Sequence, residues 1–262
     1  MEAKQRRALI EQRIQIEGRL DFSSVATEFG VSEMTIRRDI ETLENKGVVR
    51  RVLGGAIAFG GKSTEPEFEW RAAEASAEKT HIAVAAVELL NPKETVVLDS
   101  GSTVLAVARA IKGKGLGLTV ITPSILVVLE LANEPDTTVI VTGGKVRPGE
   151  LSMIGAEAED AYLLYNCDTF VMGIAGVDGR RGVSEYSREE GSVKRAAVRA
   201  SDRVIVVADE TKLGRVQLMN VAAPSAITAL VTDGDPDNPT VVALRESGVQ
   251  VVCVRNGESG GA

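Results

Sequence analysis

Apolar residues in the first fifty positions recur at helical spacing. Leu9, Ile10 and Ile14 form one stripe, which ends near Gly18. Asp21 is placed to cap a short second helix, FSSVATEF, whose inner face is Val25, Ala26 and Phe29, and Gly30 stops it. Ser32 caps a third helix, EMTIRRDIETLENK, in which Ile36, Ile40 and Leu43 fall at i, i+4 and i+7 and Gly47 marks the end. VVRRV then has strand character, and Gly54-Gly55 supplies a tight turn. Three helices followed by a ribbon predict a winged helix-turn-helix over residues 1–57.

The pattern then changes twice. AFGGKSTEPEFEWR is rich in Gly and in small, polar and acidic residues, so 58–74 reads as a linker. From residue 75, short apolar runs alternate with helix-like segments such as VLAVARAIK, PSILVVLELA and EEGSVKRAAVRA. The predicted strands are 95–98, 118–122, 138–141, 169–173, 203–208, 229–232 and 249–254. Wholly apolar strands between helices are what a parallel sheet covered on both faces requires. The fold class is therefore α/β, with a larger second domain over 75–256 and a disordered tail, GESGGA, over 257–262.

Composition removes several function classes. Aromatics are 3% of 262 residues, so the core is aliphatic. No apolar run approaches the roughly 18–20 residues of a membrane helix, and the start lacks a signal peptide's apolar stretch, which makes cytoplasm the expectation. One His (His81) and two distant Cys (Cys167 and Cys253) argue against a closed zinc site and against histidine-based triads. His81 reads as a surface or half-buried helix residue, and both cysteines as buried apolar positions. No metal, cofactor or catalytic residue is expected. Net charge is −7, yet residues 1–58 carry ten Lys and Arg against nine Asp and Glu. A local basic patch can still meet a polyanion.

In a helix-turn-helix the exposed start of the recognition helix faces the major groove. The candidates here are Ser32, Glu33, Thr35, Arg37 and Arg38, with Arg50 and Arg51 on the wing. Arginine can bond guanine bidentately, whereas hydroxyls and a helix N-terminus suit phosphates. The plainer alternative is a solvated helix face with pairs such as Arg37–Glu41. GVSEMTIRRDIETLENKGVVRRVLGGA resembles the N-terminal signature of the deoxyribose-repressor (DeoR) family of bacterial transcriptional regulators. VS-x-x-TIRRD, the following L-x-x-x-G and the wing's R-x-x-GGA carry the likeness. The family usually has His before the wing glycines, where this chain has Leu53.

VVLDSGSTV puts Asp99 at a strand's C-terminal end and Ser100, Gly101, Ser102 and Thr103 on the turn into a helix. Open α/β sheets bind ligands at such ends, and small residues let backbone amides approach a phosphate. TGGKVRPGELSMIG adds Lys145 and Arg147, EEGSVKRA adds Glu190 and Lys194 at i, i+4, and VVADETKLGR adds Asp209, Lys212 and Arg215. Taken singly, each loop also reads as an ordinary connection, and Glu190–Lys194 as a helix ion pair.

LDSGST, TGG-x-x-R followed by S-x-x-G, G-x-x-G-V-D, the E-x-x-x-K of Glu190 and Lys194, and AD-x-x-K-x-G also resemble the same family's effector domain. That resemblance implies a fold like the ribose-5-phosphate isomerase and CoA-transferase group and a phosphorylated sugar or related metabolite as effector. It places Asp99, Ser100, Gly101, Ser102, Thr103, Lys194 and Lys212 at or near that effector. Thr122-Pro123 stands where the family commonly has Thr-Asn, with Pro123 suited to a first helical turn. The expected protein is thus a repressor of a carbohydrate operon, binding double-stranded DNA as a homo-oligomer and released by the effector, with no membrane partner. The alternative is a sugar-phosphate isomerase-like enzyme with a DNA-binding appendage, using Asp99, Glu190 and Lys194 as acid–base groups. On the first reading, Lys194→Ala weakens the effector response without unfolding the protein.

Overall fold

The computed structural model describes residues 2–17, 19–45, 48–58, 65, 68–73 and 75–254. The helix ends assigned to Gly18 and Gly47, most of the 58–74 stretch and the tail at 257–262 lie outside these residues. The chain divides into two compact units, 1–70 and 71–262.

The first unit runs α1 (Ala3–Glu17), β1 (Arg19–Asp21), α2 (Phe22–Phe29), α3 (Glu33–Asn45), β2 (Val49–Val52) and β3 (Gly55–Ala58). Asp21 caps α2 by accepting the Ser24 amide at 3.0 Å, and Gly30 ends it in the left-handed conformation at φ +63°. Ser32 accepts the Thr35 amide at 3.2 Å to start α3. Ile10, Ile14, Phe22, Val25, Ile36, Ile40, Leu43 and Val49 close one apolar core. Leu9, expected in the α1 stripe, is 44% exposed, because one residue's rotation turns it away from the Ile10–Ile14 face.

The strand β1 was not expected: three residues with one apolar side chain, Leu20, carry little periodicity. It completes an antiparallel sheet in the order β1-β3-β2. Gly55 permits this pairing, since a Cβ there would stand 2.1 Å from the Leu20 carbonyl oxygen. Gly55→Ala is expected to cost about 1–3 kcal/mol, the usual scale of overpacking. Urea denaturation would read it, and a loss below a few tenths would show that β1 moves aside freely.

The stretch read as a linker contains a helix, α4 (Phe68–Ala73). Its sequence FEWRAA holds neither Gly nor Pro and ends in good helix formers. The second unit continues with α5 (Ser76–Val87), β4 (Thr95–Leu98), α6 (Ser102–Ile111), β5 (Thr119–Thr122), α7 (Ile125–Leu131), β6 (Thr138–Val141), β7 (Lys145–Arg147), β8 (Ser152–Ile154), α8 (Ala156–Ala161), β9 (Cys167–Gly173), β10 (Gly176–Asp178) and β11 (Gly182–Glu185). It closes with α9 (Arg188–Arg199), β12 (Ser201–Val207), β13 (Met219–Ala222), β14 (Ala229–Thr232), α10 (Pro239–Glu246) and β15 (Gln250–Cys253).

Seven strands form a parallel sheet in the order β15-β14-β12-β9-β4-β5-β6. Alternate residues serve opposite faces: Val97, Phe170, Met172 and Val206 pack on one side, Val96, Leu98, Val171 and Val207 on the other. From β4 the chain steps outward to β5 and β6, then returns to β9 on the other side of β4. The strand order therefore reverses between β4 and β9, where doubly wound sheets open a crevice at the strands' C-terminal ends. Two small antiparallel sheets, β7-β8 and β10-β11-β13, were not foreseen, being short, Gly-bounded and partly polar.

His81 is exposed on α5. Cys167 is buried at the start of β9, where burial pushes its thiol pKa up. Cys253 is half-buried rather than buried, because β15 is an edge strand. Among the described residues, no helix is long and apolar enough to cross a membrane.

Candidate functional site

On α3, Ser32, Glu33, Arg37 and Arg38 are exposed and Thr35 half-buried. The hydroxyls of Ser32 and Thr35 lie 3.0 Å apart and are engaged in the cap. Arg37 pairs back one turn, with Glu33 at 3.6 Å, rather than forward with Glu41. Its guanidinium also lies 4.7 Å from the centroid of the Phe22 ring, which holds it over an aromatic face. The amide of that same Phe22 donates to the Gly54 carbonyl at 3.0 Å. One residue thus positions both an arginine of α3 and the turn of the β2–β3 wing. Leu53, at the tip of that turn, is 99% exposed.

The two wing arginines differ. Arg50 is exposed on β2. Arg51 is tied to Glu44 of α3 twice, by its amide at 2.8 Å and by its guanidinium, and this holds the Glu44 carboxyl below its ordinary range. The third residue of the RRD run behaves differently again. Asp39 is buried and accepts Arg6 Nε at 2.6 Å, with Arg7 at 3.5 Å. It docks α3 onto α1. Its position three residues after Ile36, inside the apolar stripe, was the signal available in the sequence.

The second cluster forms at the reversal between β4 and β9. Asp99 is 2% exposed, and its Oδ2 accepts the Gly173 amide at 3.1 Å and the Lys194 ammonium. Lys194, 4% exposed on α9, also donates to the Gly173 carbonyl at 2.9 Å and lies 3.5 Å from Glu185 Oε2. Burial favours its neutral form, but Asp99, Glu185 and Glu190 outweigh this and raise its pKa. Glu190 does not act as a helix ion pair. It turns to Ser152 Oγ at 2.7 Å and to Arg147 at 3.0 Å. Burial pushes its carboxyl up, and the charges of Lys194 and Arg147 bring it below the ordinary range.

Ser100 and Thr103 are buried, while Gly101 and Ser102 are half-exposed; Gly101, at φ +104°, sits at the α6 cap, which has no side-chain cap bond. Gly173 allows close approach here, since a Cβ would stand 3.2 Å from the Ser100 carbonyl. Lys212 is half-buried in the turn after β12, beside buried Asp209. Burial raises the Asp209 carboxyl, but Lys212, the Thr211 hydroxyl and Lys79 together hold it low. Lys145 is exposed on β7. The fold thus joins Asp99, Arg147 and Lys194 with the Ser100–Thr103 turn, sets Lys212 at the neighbouring strand end, and leaves Lys145 on the surface. Glu185 is a cluster member that no motif had pointed to, whereas Ser152 is the serine of the S-x-x-G that follows TGG-x-x-R. Pro123 precedes the α7 cap, Ser124, instead of sitting in the first turn, and its carbonyl accepts the Met153 amide at 2.6 Å.

Three buried carboxylates around one ammonium, with a guanidinium at the rim, offer acceptors for hydroxyls and donors for an anion. Residues 6–60 match the DeoR-like helix-turn-helix domain, and residues 74–234 match the DeoR C terminal sensor domain. The chain is 32% identical over 250 residues to the HTH-type transcriptional regulator GlpR of Haloferax volcanii, covering 95% of this chain and 97% of that one. It is 29% identical over 251 residues to the glycerol-3-phosphate regulon repressor of Escherichia coli K12, covering 96% and 99%. Among solved structures, the full-length sorbitol operon regulator SorC of Klebsiella pneumoniae aligns over 86% of this chain and 94% of its own, at 13% identity and a TM-score of 0.45. With both domains matched and relatives spanning its length, the chain belongs to the DeoR family and is a DNA-binding transcriptional regulator.

Proposed function

We propose that this regulator represses a carbohydrate-metabolism operon from the cytoplasm and is released from its operator by a phosphorylated sugar. The observation that carries the effector half is the buried Asp99–Lys194–Glu190 cluster at the strand-order reversal of a domain matched to a sensor family. Carboxylates suit sugar hydroxyls, while Arg147, Lys212 and the amides of the Ser100–Thr103 turn suit a phosphate. A glycerol-3-phosphate regulon repressor among the relatives supports that ligand chemistry.

For DNA, Arg37 and Arg38 read bases or phosphates from α3, with Ser32, Glu33 and Thr35 at its start and Arg50 on the wing. Arg51 contributes less, because Glu44 already neutralises it. Homo-oligomerisation would pair two recognition helices on repeated half-sites. The protein acts without catalysis on this reading: Asp99 and Lys194 are tied to each other and to the Gly173 peptide rather than poised for proton transfer.

The test is fluorescence anisotropy on the protein's own upstream DNA, with and without a panel of sugar phosphates. Arg37→Ala and Arg38→Ala are each expected to lower specific affinity by about 1–3 kcal/mol, roughly 5- to 150-fold, with effector binding unchanged. Wild-type affinity in both variants would sink the α3 assignment. Turnover of a pentose phosphate in a coupled assay would favour the enzyme reading instead.

A further inference from the structure

Arg71 opens the second compact unit, and two charged side chains hold it that the sensor reading leaves unused. Its guanidinium pairs with Glu150, the two side chains being 12% and 7% exposed. Its carbonyl accepts the ammonium of Lys79, which is buried on α5. The ion pair is not an efficient source of stability, since a buried pair often does no better than apolar residues of the same volume. Such contacts are more useful where an arrangement must be made in one state and broken in another.

The surroundings of Glu150 show what would break this one. Glu150 lies in the turn between β7 and β8, and the register partners that flank this turn are Arg147 and Ser152. Both bind Glu190. The turn has little slack. Leu151 sits in the left-handed region at φ +52°, its amide donates to the Arg147 carbonyl at 3.0 Å, and its carbonyl accepts the Ile125 amide at 3.0 Å. One side of a tight hairpin therefore grips the sensor cluster while its tip grips the residue where the chain enters from the DNA-binding unit.

We propose that Arg71 and Glu150 form a latch through which the β7–β8 hairpin transmits effector occupancy: an anionic ligand that takes Arg147 from Glu190 shifts the hairpin and frees Arg71. This inference rests on the effector reading above. Glu150 and Arg71 are positioning residues for the response and touch no ligand. Such a ligand must bind the unlatched state more tightly, and the coupling has the typical size of 5- to 150-fold.

The experiment uses the full chain with Glu150→Gln, Arg71→Gln and the double variant. Operator affinity is measured with and without glycerol 3-phosphate, ribose 5-phosphate, glucose 6-phosphate and inorganic phosphate, and ligand affinity by calorimetry. The expected result is that each variant binds operator alike with and without the compound that releases wild type, a coupling ratio lowered at least 5-fold. Ligand affinity should rise, by up to the same coupling factor, because the variants start unlatched. The double variant should lose no more coupling than either single, and Glu150→Asp should restore the response. A coupling ratio within 2-fold of wild type in the variants, or additive losses in the double, would overturn the latch alone. A wild type that none of the four compounds releases would overturn the latch together with the effector reading.

Discussion

Lys194→Ala is expected to destabilise the sensor unit by about 3–5 kcal/mol at neutral pH, the usual cost of removing one partner from a buried ionic group. The sequence alone suggested a milder variant that weakens the effector response and keeps its fold. Burial reverses that expectation, because removing the ammonium takes from Asp99, Glu185 and Glu190 the cation that all three face, while Arg147 still pairs with Glu190. Burial already holds the Asp99 carboxyl above its ordinary value and would raise it further without Lys194, and the Glu190 carboxyl would lose the charge that does most to keep it low. A carboxyl raised in this way contributes stability that is present below its unfolded pKa and lost as pH rises through its folded pKa. The deficit relative to wild type should therefore shrink on going from pH 7 towards pH 4. Denaturant midpoints of both proteins across that range would show it. A deficit under about 1 kcal/mol, or one independent of pH, would mean that Lys194 is not the counter-charge of the cluster.

The second large effect falls on the other unit. Asp39→Ala strips the carboxylate from buried Arg6 and is expected to cost a comparable 3–5 kcal/mol, roughly. A unit of about 60 residues has little stability to spare, so the DNA-binding unit should unfold while the sensor unit keeps its own transition. Calorimetry would separate the two transitions, and operator binding would be lost at every effector concentration. Asp39→Asn, which keeps one acceptor, should lose less. Selective binding at wild-type affinity in Asp39→Ala would show that Arg6 finds another partner and that the α1–α3 contact is dispensable.

These two cases mark where the sequence was legible and where it was not. Ile36, Ile40 and Leu43 announced the inner face of α3 by spacing, and all three are buried. The apolar runs at 95–98 and 229–232 became interior strands with those bounds, because a parallel strand covered on both faces needs consecutive apolar or β-branched residues, and 138–141 became the edge strand β6 with its expected bounds. Local patterns failed wherever the partner was distant. Nothing near Asp39 in sequence points to Arg6, 33 residues earlier, so its contact with α1 went unread. Glu190 and Lys194 stood at ion-pair spacing, but α9 is buried on that side and each turns to a partner on another element. The β7–β8 hairpin escaped notice because KVR and SMI are too short to carry a period, and with it went the place of Glu150 in its turn.

The cluster's connectivity also bears on how long the protein survives. Asp99 and Lys194 are 95 residues apart, and their contact joins α9 to the end of β4 beside its partner β9. Contacts of such separation are costly to close and form slowly. Contacts absent from the folding transition state govern the rate of unfolding rather than of folding. A metabolite seated there would tie distant chain positions together and slow their parting. Starvation would then shorten the molecule's life under proteolysis, and a supply of the metabolite would lengthen it.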